Sequence, residues 1–205
     1  MPDGLNGTRV DLPASGGSDV SVRKATMSDI PGLLSIINSY AAGGVMLPRT
    51  EFEMAENIRD FSVIEMSGEL AGCGAIHFYT PRSAEIRSLA IAPQFQGFGA
   101  GKFLIAQLEE EARSLRVYNV FAFTYIPEFF RKLGFSQIER GELPLKAWKD
   151  CLRCPKFQCC DEIAVIKRLC LSDVGVMDIL KRGIVDSRPA SAKPAVLLPV
   201  LRNPR

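Results

Sequence analysis

Glu85-Ile86-Arg87-Ser88-Leu89-Ala90-Ile91-Ala92-Pro93, then Gln94-Phe95-Gln96-Gly97-Phe98-Gly99-Ala100-Gly101-Lys102, then the run from Phe103 to Leu115, is the stretch that decides the fold. Its first piece alternates and stops at Pro93, as a strand does on leaving a sheet. Its last piece carries Leu104, Ile105, Leu108, Ala112 and Leu115 at helical spacing. Between them lies a glycine-rich bend. A strand that feeds such a bend and then a helix N-terminus presents spare backbone N–H groups and the positive end of the helix dipole. That is a cradle for a phosphate.

Two common cradles do not fit. A P-loop needs glycine where Gln96 stands, and Ser or Thr where Phe103 follows Lys102. The dinucleotide fingerprint needs a third glycine one residue later than Gly101. What remains, Gln-Gly-x-Gly-x-Gly after Leu89-Ala90-Ile91, resembles the pyrophosphate loop of the GCN5-related N-acetyltransferases. That resemblance implies acetyl-coenzyme A as co-substrate. It implies a loop of Gln96, Gly97, Phe98, Gly99, Ala100, Gly101 and Lys102 holding the pyrophosphate. Backbone groups around Leu89, Ala90 and Ile91 would then pair with the pantetheine amides where the strand splays from its neighbour.

Reading outward, pattern alone predicts the remaining elements. Val20 to Ala25 alternates as a first strand. Thr26 with Asp29 starts a helix striped by Ile30, Leu33, Leu34, Ile37 and Tyr40, which Gly43-Gly44 ends. Thr50 caps a second helix running through Arg59. Phe61–Met66 and Leu70–Tyr79 are strands joined across Ser67-Gly68, and Glu85–Ile91 is the next antiparallel strand. Val117–Tyr125 is a strand, Pro127 opens a short helix closed by Gly134, and Phe135–Glu139 and Glu162–Leu169 are the last strands. The order β-α-α-β-β-β-α-β-α-β-β is that of the acetyltransferase fold. The expected class is therefore α+β: a mostly antiparallel twisted sheet flanked by helices and splayed at the acetyl-CoA strand.

The chain of 205 residues, 47% hydrophobic, suffices for one good core. Residues 1–19, rich in Gly, Ser, Asp and Pro, read as a disordered leader; residues 20–169 read as the catalytic domain and 170–205 as a tail. Net charge is +2, and residues 1–169 hold 19 Lys/Arg against 20 Asp/Glu, so no nucleic-acid footprint is expected. Neither a secretory signal nor a membrane span is expected, and the chain reads as cytoplasmic. The oligomeric state stays open, a homodimer among the options.

Two family features bear on mechanism. In histone-acetylating members a glutamate base stands six residues before the splayed position, which the resemblance carries onto Glu85. The bland alternative is a surface carboxylate paired with Arg87 or Arg82. Many members carry a tyrosine general acid in Phe-Tyr-x-x-Leu-Gly-Phe; here Phe129-Phe130-Arg131-Lys132-Leu133-Gly134-Phe135 puts phenylalanine there. A phenyl ring cannot protonate a thiolate, so that role falls to Tyr125 or to water.

Met46-Leu47-Pro48-Arg49, Glu85 to Ile91, Pro127 to Phe130, and Leu143-Pro144-Leu145-Lys146 through Cys151 resemble the stand-alone bacterial N-acetylglutamate synthases. The acceptor implied is a small amino acid, glutamate. Its two carboxylates call for two or three cations, with Arg suited to a bidentate grip; Arg49, Arg87 and Lys146 are the candidates.

Six cysteines without a signal peptide read as thiols or metal ligands. Cys151, Cys154, Cys159 and Cys160 lie within ten residues. Tetrahedral zinc, a three-cysteine set of Cys151, Cys154 and Cys160, reduced structural thiols and a redox pair are all open readings, with reduced thiols preferred to metal and metal to a redox pair. The cluster is expected to be structural and remote from the chemistry.

Overall fold

The computed structural model describes residues 20–143, 152, 154 and 156–169. The expected leader, the tail, Lys146 and Cys151 lie outside these described residues. The elements in chain order are β1 (Val20–Lys24), α1 (Ile30–Ala42), α2 (Glu51–Asn57), β2 (Phe61–Met66), β3 (Glu69–Thr80), β4 (Ser83–Ile91), α3 (Ala100–Ser114), β5 (Asn119–Thr124), α4 (Pro127–Lys132), β6 (Ser136–Gln137) and β7 (Ile163–Arg168). Their order matches the one read from the pattern, with edges moved. α2 gives way to a 3-10 turn over Ile58–Asp60, and β6 is two residues long. Leu115, expected in the apolar stripe of α3, caps the end of that helix and is 58% exposed.

Local chemistry sets the element ends. Thr50 closes a capping box on α2: its hydroxyl accepts from Glu53 N at 3.2 Å while the Glu53 carboxylate accepts from Thr50 N at 3.0 Å. Ser67 (φ 53°) and Gly68 (φ 79°) form the two-residue turn of the β2–β3 hairpin, which needs left-handed backbone at both positions.

The sheet runs β1-β2-β3-β4-β5-β7-β6. Every neighbouring pair is antiparallel except β4 and β5, which the α3 crossover makes parallel. One face packs on α3, where Leu104, Ile105 and Leu108 meet Ile76, Ile86, Val120 and Val165. Each of those three helix side chains is essentially fully buried, worth about 1.5–3 kcal/mol apiece. The other face divides. Near β2 it is covered by α1 and α2 through Leu33, Ile37, Met54 and Val63; near β5 and β7 a smaller cluster gathers around Phe121, Leu143 and Ala164.

Two irregularities in the sheet shape the site. β4 pairs β5 only over Ser83–Glu85, opposite Asn119–Phe121, while β5 stays with β7 through Thr124. The two parallel strands therefore diverge beyond Glu85 and leave a wedge between them. On its other side, the β3–β4 register slips by one residue between Cys73 and Ala75, so that Gly74 faces both Ser88 and Leu89. Ser88 sits there at φ 51°. This is a β-bulge, and it moves every later side chain to the opposite face. Leu89 and Ile91 consequently join Ile86 on the α3 side, whereas Ala90 packs with α1.

Candidate active site

The wedge opens into a cavity of about 770 Å³ whose walls include Glu85, Arg87, Arg49, Tyr125, Arg140 and Lys156. Glu85 stands at the last position of β4 that pairs with β5, 8% exposed. The alternation read from the sequence puts Glu85 and Arg87 on one strand face, and both line this cavity. Glu85 is buried rather than at the strand surface, and it accepts a hydrogen bond from Tyr79 Oη at 2.8 Å.

Arg87 is held from behind. Its Nη2 lies 3.3 Å from Asn57 Oδ1, 3.4 Å from Asp60 Oδ2 and 3.2 Å from His77 Nδ1. His77 Nδ1 in turn is 2.5 Å from Asp60 Oδ2. The guanidinium is thus oriented, and the Asp60 carboxylate offsets part of its charge. Arg49 enters from the α1–α2 connection, whose course is set by a side chain that mimics a strand. Asn38 Oδ1 accepts from Arg49 N at 2.8 Å and Asn38 Nδ2 donates to Arg49 O at 3.0 Å. Lys146 lies outside the described residues.

Two further cations, unnoticed in the sequence, face the same cavity. Arg140 Nη2 donates to the carbonyls of Cys160 and Glu162, and its guanidinium lies over the Phe123 ring, 5.9 Å from the centroid. Lys156 Nζ donates to Gly44 O at 3.1 Å and Tyr125 Oη at 3.3 Å, tying the β6–β7 connection to the end of α1. Burial holds the Tyr125 phenol above its ordinary pKa, with the Lys156 hydrogen bond pulling the other way. Burial likewise pushes the Glu162 carboxyl up, against the pull of Arg140. Phe130, standing where a tyrosine acid is common in the family, is 3% exposed and packed edge-on between Phe129 and Phe135.

The cysteines require a correction. They were expected to lie away from the chemistry, yet Cys154 and Cys160 line the same cavity as Glu85. The reason is the β5–β7 pairing, which brings the residues just before Ile163 alongside the end of β5. Cys160 Sγ is 3.2 Å from Arg140 Nη2. Among the described residues no group of three His, Cys, Asp or Glu side chains is arranged to hold a metal ion; Cys151 lies outside them. Cys73 is a buried thiol of the α1–α2 core, pushed up to about 12 by burial.

Beyond the wedge, β4 delivers the chain to the glycine bend. Gly97 (φ 83°) and Gly99 (φ 84°) adopt left-handed backbone with open space where a Cβ would stand. Only glycine takes this path without strain, and the bend leaves the first N–H groups of the fifteen-residue α3 facing outward. Ala100 is buried against the core and Lys102 is exposed. Gly101 serves a different purpose: a Cβ there would meet the Phe129 ring at 3.3 Å. Gln96 also has an internal task. With Tyr40 Oη it donates to the Ile91 carbonyl, tying α1 to the point where the bend begins. That carbonyl is therefore engaged within the protein. The fit to a pyrophosphate rests on Gly97, Gly99 and the helix start.

Residues 38–135 match the family model described as Acetyltransferase (GNAT) family. An uncharacterised N-acetyltransferase of Chlorobaculum tepidum is 41% identical over 77% of this chain and the whole of its own length. An amino-acid acetyltransferase of Mycobacterium tuberculosis is 35% identical over 58% of this chain and 69% of its own. Among solved structures, N-acetylglutamate synthase of Neisseria gonorrhoeae, complexed with coenzyme A and N-acetyl-glutamate, superposes with a TM-score of 0.68. It is 30% identical over 74% of this chain and 35% of its own, so the present chain spans about a third of that enzyme. This chain belongs to the GNAT acetyltransferase family, and it is an acyltransferase. The mixed seven-stranded sheet flanked by helices is the fold of that family.

Proposed function

We propose that the protein transfers the acetyl group of acetyl-CoA to the amino group of L-glutamate. The observation that carries this reading is one cavity in which a buried carboxylate, Glu85, stands beside two arginines, Arg49 and Arg87, at the point where β4 and β5 part. The names of the relatives support the same acceptor class. Acetyl-CoA would lie with its pyrophosphate on Gly97, Gly99 and the start of α3, and its acyl end in the wedge. Glutamate would be held by its carboxylates on the cavity's cations. Arg49 is a direct candidate; Arg87 is one whose charge Asp60 already shares. Arg140 and Lys156 line the same cavity and add positive charge, and Lys146 remains a candidate of the same kind.

An amino acid arrives as an ammonium, which is not nucleophilic. Glu85 takes one N–H proton, the freed lone pair attacks the thioester carbonyl, and the C–S bond breaks as the amide forms and its nitrogen releases a second proton to Tyr125 or water. The departing thiolate then needs a proton, for which Tyr125 or water is the donor. The cysteine thiols have no assigned step in this scheme.

Thiol release from acetyl-CoA, measured across a panel of amino acids and other amines, tests the reading. Glutamate-dependent release is expected, with glutamine and aspartate poorer. Release with a different amine would replace the acceptor, and coenzyme A binding without turnover under any amine would make the protein a sensor. Separately, Gly99→Val should abolish coenzyme A binding by calorimetry in a folded protein, because a β-branched side chain resists φ 84° and would fill the cradle. Unchanged affinity would remove the bend from the site.

A further inference from the structure

We propose that Tyr79 is the positioning residue of the base: its hydroxyl holds the Glu85 carboxylate in one orientation and keeps it ionised between turnovers. This rests on reading Glu85 as the group that accepts the ammonium proton.

The placement follows from register. The β3–β4 hairpin pairs His77 with Glu85 across the strands, so both side chains stand on the cavity face. Tyr79, two residues beyond His77, shares that face as a diagonal neighbour of Glu85. Its ring is clamped from two sides. His77 meets it edge-on at 4.8 Å between centroids, and Phe121 stacks against it at 6.0 Å and 28°. Phe121 is itself fully buried and is the β5 partner of Glu85. A phenol fixed in this way has little freedom other than rotation about its C–O bond, and its oxygen lies 2.8 Å from Glu85 Oε2.

A donor to the charged form of a carboxylate lowers its pKa, and burial raises it. Glu85 is buried, and the Tyr79 hydroxyl donates to its carboxylate there, which favours the form that can accept a proton. The surrounding charges pull in both directions. Arg87 on the same strand and Arg49 from the α1–α2 connection favour the ionised form, as do Arg140 and Lys156 in the cavity lining. Asp60 and Glu162 oppose it, and His77 lies against Asp60 on the same side. Tyr79 differs from all of these in touching a carboxylate oxygen with a neutral donor, so it orients Glu85 without itself competing for the anionic substrate.

The test compares Tyr79→Phe, Glu85→Gln and the double variant by thiol release with the best acceptor of the panel, alongside the wild type. Tyr79→Phe keeps the ring and its contacts with His77 and Phe121 and removes only the oxygen. The expected results are a loss in kcat of roughly 10-fold, an unchanged KM for acetyl-CoA, and an acid limb of kcat/KM moved up by about one pH unit. In the Glu85→Gln background the Tyr79→Phe substitution should cost nothing further. A role confined to packing would lower the melting temperature and leave the limb in place. A carbon-13 NMR titration of the Glu85 carboxyl, assigned with Glu85→Gln, reads the same shift without turnover. If Glu85→Gln keeps wild-type turnover, the base reading falls and this proposal falls with it. If Glu85→Gln is impaired while Tyr79→Phe leaves both the limb and the titration unmoved, or if the two losses multiply, only the positioning role of Tyr79 is overturned.

Discussion

Among the described residues two glutamates are buried, on opposite faces of one sheet, and they are buried differently. Glu109 on α3 is 4% exposed and sits between two cations, with Lys167 Nζ at 2.7 and 2.8 Å and Arg113 Nη2 at 3.0 Å. Glu85 is 8% exposed, takes a phenol hydroxyl as a partner, and faces a cavity. The first carboxylate joins a helix to a strand inside a closed face. The second stands where the sheet comes apart and a substrate can reach it. Similar burial thus serves cohesion in one place and chemistry in the other, and what separates the two is whether the face is filled.

The sharpest way to break this contrast is Glu85→Gln. It should lower kcat by roughly 10²-fold or more, about 2.7 kcal/mol in barrier height, while the melting temperature stays near wild type. The loss should shrink at high pH, where the amine arrives already deprotonated; a pH–rate profile overlaying wild type would move the base elsewhere. The mirror-image substitution, Glu109→Ala, should leave turnover intact and cost about 2–3 kcal/mol of stability in a denaturant titration, because Lys167 and Arg113 lose the charge they surround. A Glu109→Ala protein with lowered kcat and unchanged stability would reverse the assignment of the two groups.

A smaller effect is expected at the acceptor end. Arg49→Ala should raise the KM for glutamate about 10- to 30-fold with little change in the KM for acetyl-CoA, since a substrate carboxylate would lose its partner. Equal KM values for glutamate would remove Arg49 from the site. The smallest effect concerns Glu162, whose carboxyl pKa burial raises. A group raised in the folded state supports folding below its unfolded pKa, about 4.3, and opposes it as pH rises through the folded value. Glu162→Gln should accordingly stabilise the protein by less than about 1 kcal/mol at pH 8, discounted for partial exposure, and not at all near pH 4. Thermal melts at the two pH values read the difference; a gain that is larger at low pH would contradict it.

Much of this was legible in the sequence because it depends on neighbours along the chain. The order of strands and helices follows from periods of 2 and 3.6, the Thr50 cap from one side chain and the N–H three residues on, and the bend at Gly97 and Gly99 from backbone that only glycine adopts easily. The alternation of Glu85 and Arg87 was sufficient to put both on the cavity face. What the sequence could not carry depends on register between distant segments. The bulge at Ser88 is invisible in Arg87-Ser88-Leu89, since it exists only relative to Gly74 on β3. Tyr79 meets Glu85 only because a hairpin aligns His77 with that glutamate. Asn38 reads as one more polar residue of a helix until the α1–α2 connection folds back onto it. Arg140, Lys156, Cys154 and Cys160 reach the cavity because β7 pairs with β5, a contact some forty residues apart in the chain. Local chemistry determined the parts and the glycine bend; long-range strand pairing decided which side chains share a wall with Glu85.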